Sequence, residues 1–212
     1  LPIADAVDPA QTDDDYPQEL FNTIIYTGDN GGSFTTGFQP DLVWVKRRDG
    51  DQSNGLWDSS RGTTKILISN EQDAEGTSSG LTSFDSTGYT MGTYYNQTGN
   101  TYVSWSWRAN GGSSSNSDGA TSSTVQAAPG GGFSIVTYTG FAGASGTSTV
   151  GHGMGVAPNM IIYKSRSRGS GWWTAAPGLF SSQSHFIDLN GTGQPTDLSS
   201  YGTMSAPTTS VF

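Results

Sequence analysis

The hydrophobic pattern of the chain is organised around one block that occurs twice. The first copy is Gly37–Lys46 and the second is Gly155–Lys164, and each contains a glycine, a proline, a four-residue apolar run and a lysine. Proline fixes its own φ and lacks an N–H, so it fits the beginning of a strand and not its middle. An apolar run without polar alternation is typical of a strand covered on both faces. We therefore expect buried strands at 42–45 and 160–163.

Other segments predict further strands and no long helix. Apolar runs at Ile24–Thr27, Lys65–Ser69 and Gly88–Met91 end at glycine or polar residues. The stretch Thr101–Arg108 alternates instead, with Val103, Trp105 and Trp107 on one face and Tyr102, Ser104 and Ser106 on the other. A period of two is typical of a strand with one side in the core and one in water. We assign to the structural core Trp44, Trp57, Trp105, Trp107, Trp173 and Ile162.

The order of these blocks in the first half of the chain returns in the second half. Val136–Gly140 matches Ile24–Gly28 at an offset of 112 residues (136 − 24), and the proline block returns at 118 (158 − 40). His185–Asn190 stands where Lys65–Asn70 stood, at 120 (190 − 70), and the tryptophan at 57 returns at 173. Four matching blocks in one order, with the drift that loop insertions cause, indicate a duplication.

The duplication predicts an all-β protein with two tandem, homologous β-sandwich units of jelly-roll-like topology. We expect an N-terminal arm over 1–20, the first unit over 21–110, a flexible Gly/Ser-rich linker over 111–132 and the second unit over 133–212. The second unit lacks counterparts of 89–91 and 102–107, so we expect it to be incomplete. Its unpaired edge would be filled by another subunit, by the arm or by sequence beyond Phe212.

Composition and charge narrow the classes of function. Charged residues are 13% of the 212 and aromatic residues 11%, which excludes a charge-driven disordered chain. The net charge of −9 argues against a nucleic-acid partner and against an anionic membrane surface. There is no apolar run of about 18 residues, so we predict no membrane insertion. Without cysteine, the fold depends on packing, metal or assembly.

Residues that suit catalysis are sparse. A glycosidase needs two carboxylates facing each other across a sugar, and Asp58 and Asp188 lie next to apolar strands. An aspartate in such a place more often caps a turn or pairs with an arginine such as Arg61. His152 lies between glycines with only His185 as a second imidazole, so we expect a backbone hydrogen bond rather than a zinc site. We predict no enzyme, no catalytic residue and no cofactor.

Two groups of residues are candidates for binding. Asp49 and Asp51, with Asn54, lie in a glycine-containing loop that suits calcium, but the terminal acidic ligand of an EF-hand loop is missing, so a hydrated turn is favoured and no metal site is assigned. Aromatic residues without a counterpart in the other copy are our ligand-binding candidates: Tyr94, Tyr95 and Trp172. Contact with a neighbouring subunit explains them equally well, because Tyr and Trp concentrate at interfaces.

Several long blocks, taken together, resemble a known family. They are Tyr26–Gly28, Gly37–Lys46, Asp58–Lys65, Thr101–Trp107 and Val150–Pro158. The chain resembles, over about 21–212, a repeated domain of virion proteins from tailed bacteriophages, especially marine and cyanobacterial ones, described as tail-fibre or appendage proteins. The resemblance implies a β-sandwich fold, a place on an extracellular particle and repeated copies of the chain. It implies no catalytic residues.

The expected function is therefore structural. We predict a subunit of a phage tail fibre, appendage or capsid decoration that attaches to the host surface by multivalent contact. The expected partners are copies of the chain, other virion proteins and a host cell-surface glycan. Two alternatives stay open at this point: a secreted carbohydrate-binding module, and a depolymerase of capsule polysaccharide.

Overall fold

The computed structural model describes residues 17–109, 112–140, 148–176, 185–197 and 205–212, so most of the predicted arm lies outside the described residues. A helical turn, Pro17–Leu20, comes first. None of the helices in these ranges is long and apolar enough to cross a bilayer. The strands of the described residues are, in chain order, β1 (Phe21–Thr27), β2 (Gly32–Thr35), β3 (Leu42–Arg47), β4 (Gly55–Asp58), β5 (Lys65–Ile68), β6 (Gly76–Thr77), β7 (Leu81–Asp85), β8 (Gly88–Met91), β9 (Thr101–Trp107), β10 (Ser114–Asn116), β11 (Ser123–Ala127), β12 (Ser134–Tyr138), β13 (Ile161–Tyr163), β14 (Trp173–Ala175), β15 (His185–Asp188) and β16 (Thr196–Asp197).

The first half of the chain is a β-sandwich, which confirms the predicted all-β fold class. A six-stranded antiparallel sheet has the order β1-β9-β3-β4-β5-β6, and a three-stranded sheet has the order β2-β8-β7. Side chains from both sheets meet in one core, because alternate residues of each strand point to the same face. Its buried members are Val43, Val45, Trp57, Ile66, Leu81, Tyr89, Met91, Tyr95 and Tyr102.

The strand β3 lies in the middle of the six-stranded sheet, but it is covered on one face only. Val43 and Val45 point into the core and are fully buried, whereas Trp44 points outward and is half-buried. The prediction of a strand at 42–45 is confirmed, and so is the burial of Trp57. The prediction that both faces of β3 are buried was wrong, and Trp44 is not a core residue.

The strand β9 faces the opposite way from the prediction. Ser104 and Ser106 point into the sandwich and are fully buried, while Trp105 and Trp107 are half-buried on the outer face. The reason is space: the ring of Tyr89, from the opposite sheet, places its hydroxyl 2.5 Å from that of Ser104. Small side chains on β9 leave room for the large rings that fill the core from its other strands and from the facing sheet.

The predicted linker over 111–132 is partly regular structure. β10 and β11 lie inside it and form a three-stranded sheet with β12, in which β11 pairs with both of the other strands. The expectation of a flexible connection was therefore wrong there. Val125 is buried within this polar stretch. The hydroxyl of Ser123, two residues earlier, donates to the carbonyl of Gly151 at 2.7 Å. Hydroxyl groups that bond to the backbone make such a sequence compatible with a strand.

The last sheet, β13-β14-β15-β16, repeats the pairing of β3-β4-β5-β6. Val43 pairs with Trp57 and Ile161 with Ala175, so both strands are displaced by 118 residues (161 − 43 and 175 − 57). The pairs between β15 and β16 are displaced by 120 residues from those between β5 and β6 (185 − 65 and 197 − 77). This correspondence supports the predicted duplication, which stays a prediction for the complete units.

Two residues assigned to the core of the second unit are not buried in it. Ile162 is 44% exposed, because it stands at the outward position that corresponds to Trp44 (162 − 44 is 118). Trp173 is half-buried, with its ring 6.2 Å from that of Phe186. The apolar run at 160–163 thus forms a strand as predicted, but only one of its faces is turned inward.

Candidate functional site

A shallow groove lined by aromatic rings lies on the outer face of the six-stranded sheet. We call it the tryptophan groove; its volume is about 320 Å³, and it is lined by Trp44, Lys46, Asn54, Trp105 and Trp107. The pairing of β3 with β9 sets Trp44 directly opposite Trp105. Since residues two apart on a strand share a face, Lys46 and Trp107 join them on the same side of the sheet.

The rings of the groove are held in defined positions. The ring centroids of Trp44 and Trp105 are 5.7 Å apart at an interplanar angle of 60°. The indole N–H of Trp44 donates to the hydroxyl of Ser69 at 2.8 Å. Trp107 contacts the rings of Phe21 and Phe133 at 5.0 and 6.0 Å. The groove is therefore fixed before any ligand binds, which lowers the entropy lost on binding.

Polar groups lie beside the rings at one end of the groove. Lys46 is exposed, and its ammonium group donates to the side-chain oxygen of Asn54 at 3.4 Å. The backbone N–H of Asn54 donates to Asn70 at 2.6 Å, which fixes the loop that carries it. Aromatic faces with a few placed polar groups are the usual composition of a small-molecule site. The five lining residues provide three indole rings, an ammonium group and an amide, which suit the binding of a ligand.

Of the three predicted ligand-binding residues, only Tyr94 is exposed, at 56%. Tyr95 is 1% exposed and packs edge-on against the ring of Trp57 with centroids 5.0 Å apart, and burial raises its pKa far above the ordinary value. Trp172 is 4% exposed, and its indole N–H donates to the carbonyl of Ile68 at 2.8 Å. The predictions for Tyr95 and Trp172 were wrong, because both rings are large apolar groups that are buried inside the fold, where the N–H of Trp172 also has its acceptor.

Asp58 is part of a buried ionic network, as the sequence suggested. One carboxylate oxygen accepts the backbone N–H of Arg61 at 2.9 Å, and the other accepts its guanidinium. The Arg61 side chain is only 2% exposed and also reaches Glu75 at 3.4 Å. Arg166, from the second half of the chain, forms two hydrogen bonds to Glu75 at 2.7 and 3.1 Å. Asp58 thus pairs with Arg61, which is the structural role that the sequence favoured for it.

The same network sets the ionisation of Glu75. Burial opposes the charged form, but the hydrogen bond from Arg166 and the positive charges of Arg166 and Arg61 prevail and lower the pKa of the Glu75 carboxyl. The carboxylate therefore stays charged in the folded protein below its ordinary pKa.

In the loop with Asp49, Asp51 and Asn54, which suits calcium by its composition, both carboxylate oxygens of Asp49 already accept hydrogen bonds. One oxygen of Asp49 accepts the guanidinium of Arg47 at 2.7 Å and the other accepts the N–H of Thr101 at 2.8 Å. The hydrogen bond from Arg47 is the main cause that lowers the pKa of Asp49. Within the ranges that the structure describes, no three His, Cys, Asp or Glu side chains gather as a metal site would require.

His152 has the backbone partners that the sequence predicted. It is buried, its Nε2 lies 3.2 Å from the carbonyl of Thr208, and its Nδ1 accepts the N–H of Met154 at 3.2 Å. These bonds assign the proton to Nε2.

A second, more polar groove of about 480 Å³ lies beside β10, β11 and β12. Serine and threonine side chains line most of it, together with Tyr138 and Arg166. Its one guanidinium is held by Glu75, and it has a single aromatic ring. It is therefore a weaker candidate for a ligand than the tryptophan groove.

Residues 16–212 match a domain of unknown function, DUF7483, and the chain belongs to this family. No curated protein and no solved structure shows significant similarity to the chain. The match spans both halves of the molecule and assigns to them neither an activity nor a ligand.

Proposed function

We propose that the protein is a non-enzymatic attachment protein that binds a glycan in the tryptophan groove. The observation that carries the proposal is the position of Trp44 and Trp105 on the outer face of the sheet, next to Lys46 and Asn54. Fixed indole rings offer flat apolar faces on which the C–H face of a sugar ring stacks. The ammonium and amide groups beside them donate and accept hydrogen bonds with sugar hydroxyls.

The setting of this binding is part of the proposal. The sequence resemblance to tail-fibre and appendage proteins supports a place on a phage virion, outside the cell, with a host-surface glycan as partner. A groove of this size gives weak binding by itself. Many copies on one particle raise the effective concentration of each further site, so that weak contacts add to firm attachment.

A glycan array on the purified chain, followed by titration calorimetry with the best ligand, tests the proposal. We expect Trp105→Ala and Trp44→Ala each to weaken binding by about 30-fold, as loss of a buried aromatic anchor does. Tyr94→Ala is the matched control, because it removes an exposed aromatic ring outside the groove and should leave the affinity unchanged. Release of reducing sugar from the ligand would instead support a depolymerase.

One further observation favours a second candidate, a purely structural role. Ile25 is 65% exposed and Phe21 is partly exposed, and both extend the apolar surface of the same sheet toward its β1 edge. A continuous apolar surface is typical of a subunit interface. If the array gives no signal and Trp105→Ala converts an oligomer into monomers in native mass spectrometry, the outer face packs subunits and does not bind glycan.

A further inference from the structure

The sheet face that carries the tryptophan groove also carries two exposed cations. Lys46 lines the groove, and the N–H of Arg48 donates to the carbonyl of Thr101 at 2.8 Å. This bond continues the register of β3 with β9, in which Lys46 stands opposite Val103. Because residues two apart on a strand share a face, Trp44, Lys46 and Arg48 follow one another on the outer side of the sheet. With a rise of about 3.4 Å per residue, this row is about 14 Å long.

Neither cation is neutralised by a carboxylate in the part of the chain that the structure describes. The ammonium group of Lys46 donates to the neutral amide oxygen of Asn54 at 3.4 Å, and Arg48 is exposed. Asp49, next to Arg48 in the chain, accepts a hydrogen bond from Arg47 at 2.7 Å instead. Two positive charges can therefore meet a ligand that lies along the outer face.

The charge beside the groove differs from the charge of the whole chain, which is −9. Three of the nine Lys and Arg residues are consecutive at 46–48. The Debye length is about 8 Å at physiological ionic strength, so exposed charges farther than that from a ligand are largely screened. The cations of the row, and not the distant carboxylates, thus set the charge that a ligand in the groove meets.

We propose that the glycan of the tryptophan groove is acidic, and that its carboxylate or sulfate group binds Lys46 and Arg48. This inference rests on the proposed function and names the chemical class of its ligand. A sugar ring stacked on Trp44 and Trp105 places the next sugar of the chain beside Lys46, because the row of outward positions continues in that direction. A hydrogen bond between a cation and such an anion is about twice as strong as one between neutral groups.

An array of acidic oligosaccharides tests the proposal with the intact chain. Each uronate, sialate or sulfated member is printed beside its neutral form, which is carboxyl-reduced or desulfated. We expect the acidic members to bind about tenfold more tightly than their neutral forms, as two exposed ion pairs together imply. Raising NaCl from about 50 to about 300 mM should narrow this difference, because salt screens exposed charges. The members that bind best show whether the anion is a carboxylate or a sulfate.

Variants locate the preference for acidic members. Lys46→Gln and Arg48→Gln should each reduce it about threefold, and the double variant should abolish it. Lys46→Arg keeps the charge and should keep the preference. Arg168→Gln is the matched control, because it removes an exposed positive charge outside the groove and should leave the preference unchanged. Trp105→Ala should weaken the binding of acidic and neutral members alike, so it tests the groove and not the charge.

Two results would overturn the acidic class alone. In the first, neutral members bind as tightly as acidic ones while Trp105→Ala still weakens both, which leaves the proposed function in place. In the second, Arg168→Gln lowers the preference as much as Lys46→Gln does, which assigns it to the total charge of the chain. Binding of no member of the array would overturn the groove as a glycan site, and the acidic class with it.

Discussion

The two meanders, β3–β6 and β13–β16, have the same strand order and pairing but fill the inward face differently. Trp173 stands at the position of Gly55, and Ala175 at the position of Trp57. A Cβ atom on Gly55 would overlap the ring of Trp57, so a large and a small residue must alternate along this face. In the second meander the large residue lies two positions earlier. The backbone pairing is common to both sheets, while the packing differs.

The outward faces of the two meanders differ in the same manner. The first has Trp44 beside the tryptophans of β9, and the second has Ile162, which is 44% exposed. One scaffold thus carries a preformed aromatic groove in one half and an exposed aliphatic side chain in the other. Variants in both halves of the chain test how much these differences in packing contribute to stability.

Replacement of Arg61 by Met should have the largest effect on stability. It leaves the carboxylate of Asp58 buried without its main partner and removes a second cation from Glu75, which lowers the free energy of unfolding by about 3–5 kcal/mol. Arg166→Met removes a half-exposed partner of the same network and should cost less than about 1 kcal/mol. Urea unfolding of both variants measures the two losses of unfolding free energy. Equal losses would mean that the burial of Arg61 does not set the cost of removing it.

Truncation of the two inward tryptophans compares the packing of the meanders. Trp57→Ala should lower stability by about 3–5 kcal/mol, and Trp173→Ala by roughly half as much, because Trp173 is only half-buried. The double change Gly55→Trp with Trp57→Ala reproduces the order of the second meander. It should be less stable than Trp57→Ala alone in thermal unfolding, because a Cβ at position 55 also meets the buried ring of Tyr95 at 2.8 Å. A double variant that is more stable would mean that the two meanders accept the same packing.

The contact between the two halves depends on Trp172. Trp172→Phe keeps an aromatic side chain but removes the N–H that donates to the Ile68 carbonyl. The loss of this hydrogen bond costs about 0.5–1.5 kcal/mol, because the carbonyl still accepts the N–H of Glu71 at 3.3 Å. We expect faster hydrogen exchange in the loop 69–76, where Gln72 accepts the N–H of Ser170 at 2.7 Å. Trp173→Phe is the control and should leave exchange in that loop unchanged.

Acid should weaken the same contact through Glu75. The folded pKa of its carboxyl lies below the ordinary value of 4.5, so its contribution is fully present above pH 4.5 and is lost as the pH falls through the folded pKa. Unfolding experiments between pH 3 and pH 6 should show this loss in the native chain and a smaller pH dependence in Glu75→Gln. An identical pH dependence in both would assign the acid sensitivity to other carboxylates.

The sequence predicts the strands better than the faces that they bury. Runs such as 42–45 and the alternation of 101–108 indicate strands in the correct places. The choice of face failed at β9, because the apolar face of the strand is turned outward. On the inward face Tyr102 stacks on Tyr26 of β1, and Ser104 bonds to Tyr89 of the other sheet. A period of two shows that the faces differ but does not show which one is covered.

The candidate site was missed for the same reason. The apolar run at 42–45 and the alternation of 101–108 predict core positions for Trp44 and Trp105, and the lack of a counterpart in the other copy favours other aromatic residues as ligand-binding candidates. The signal that could have found the groove is the spacing Trp-Ser-Trp in β9, since small residues between large ones mark the face that receives another layer. Pairing of β9 with β3 is a long-range contact that the sequence alone does not contain.

The six indole N–H signals of the chain in a ¹⁵N NMR spectrum test the central claim most directly. Trp44, Trp105 and Trp107 lie in the groove, Trp57 lies in the core, and Trp172 and Trp173 belong to the second half. On titration with the best glycan of the array, the account predicts that the signals of Trp44 and Trp105 move while those of Trp57, Trp172 and Trp173 stay. Movement confined to Trp172 and Trp173, or to none of the six, would contradict it.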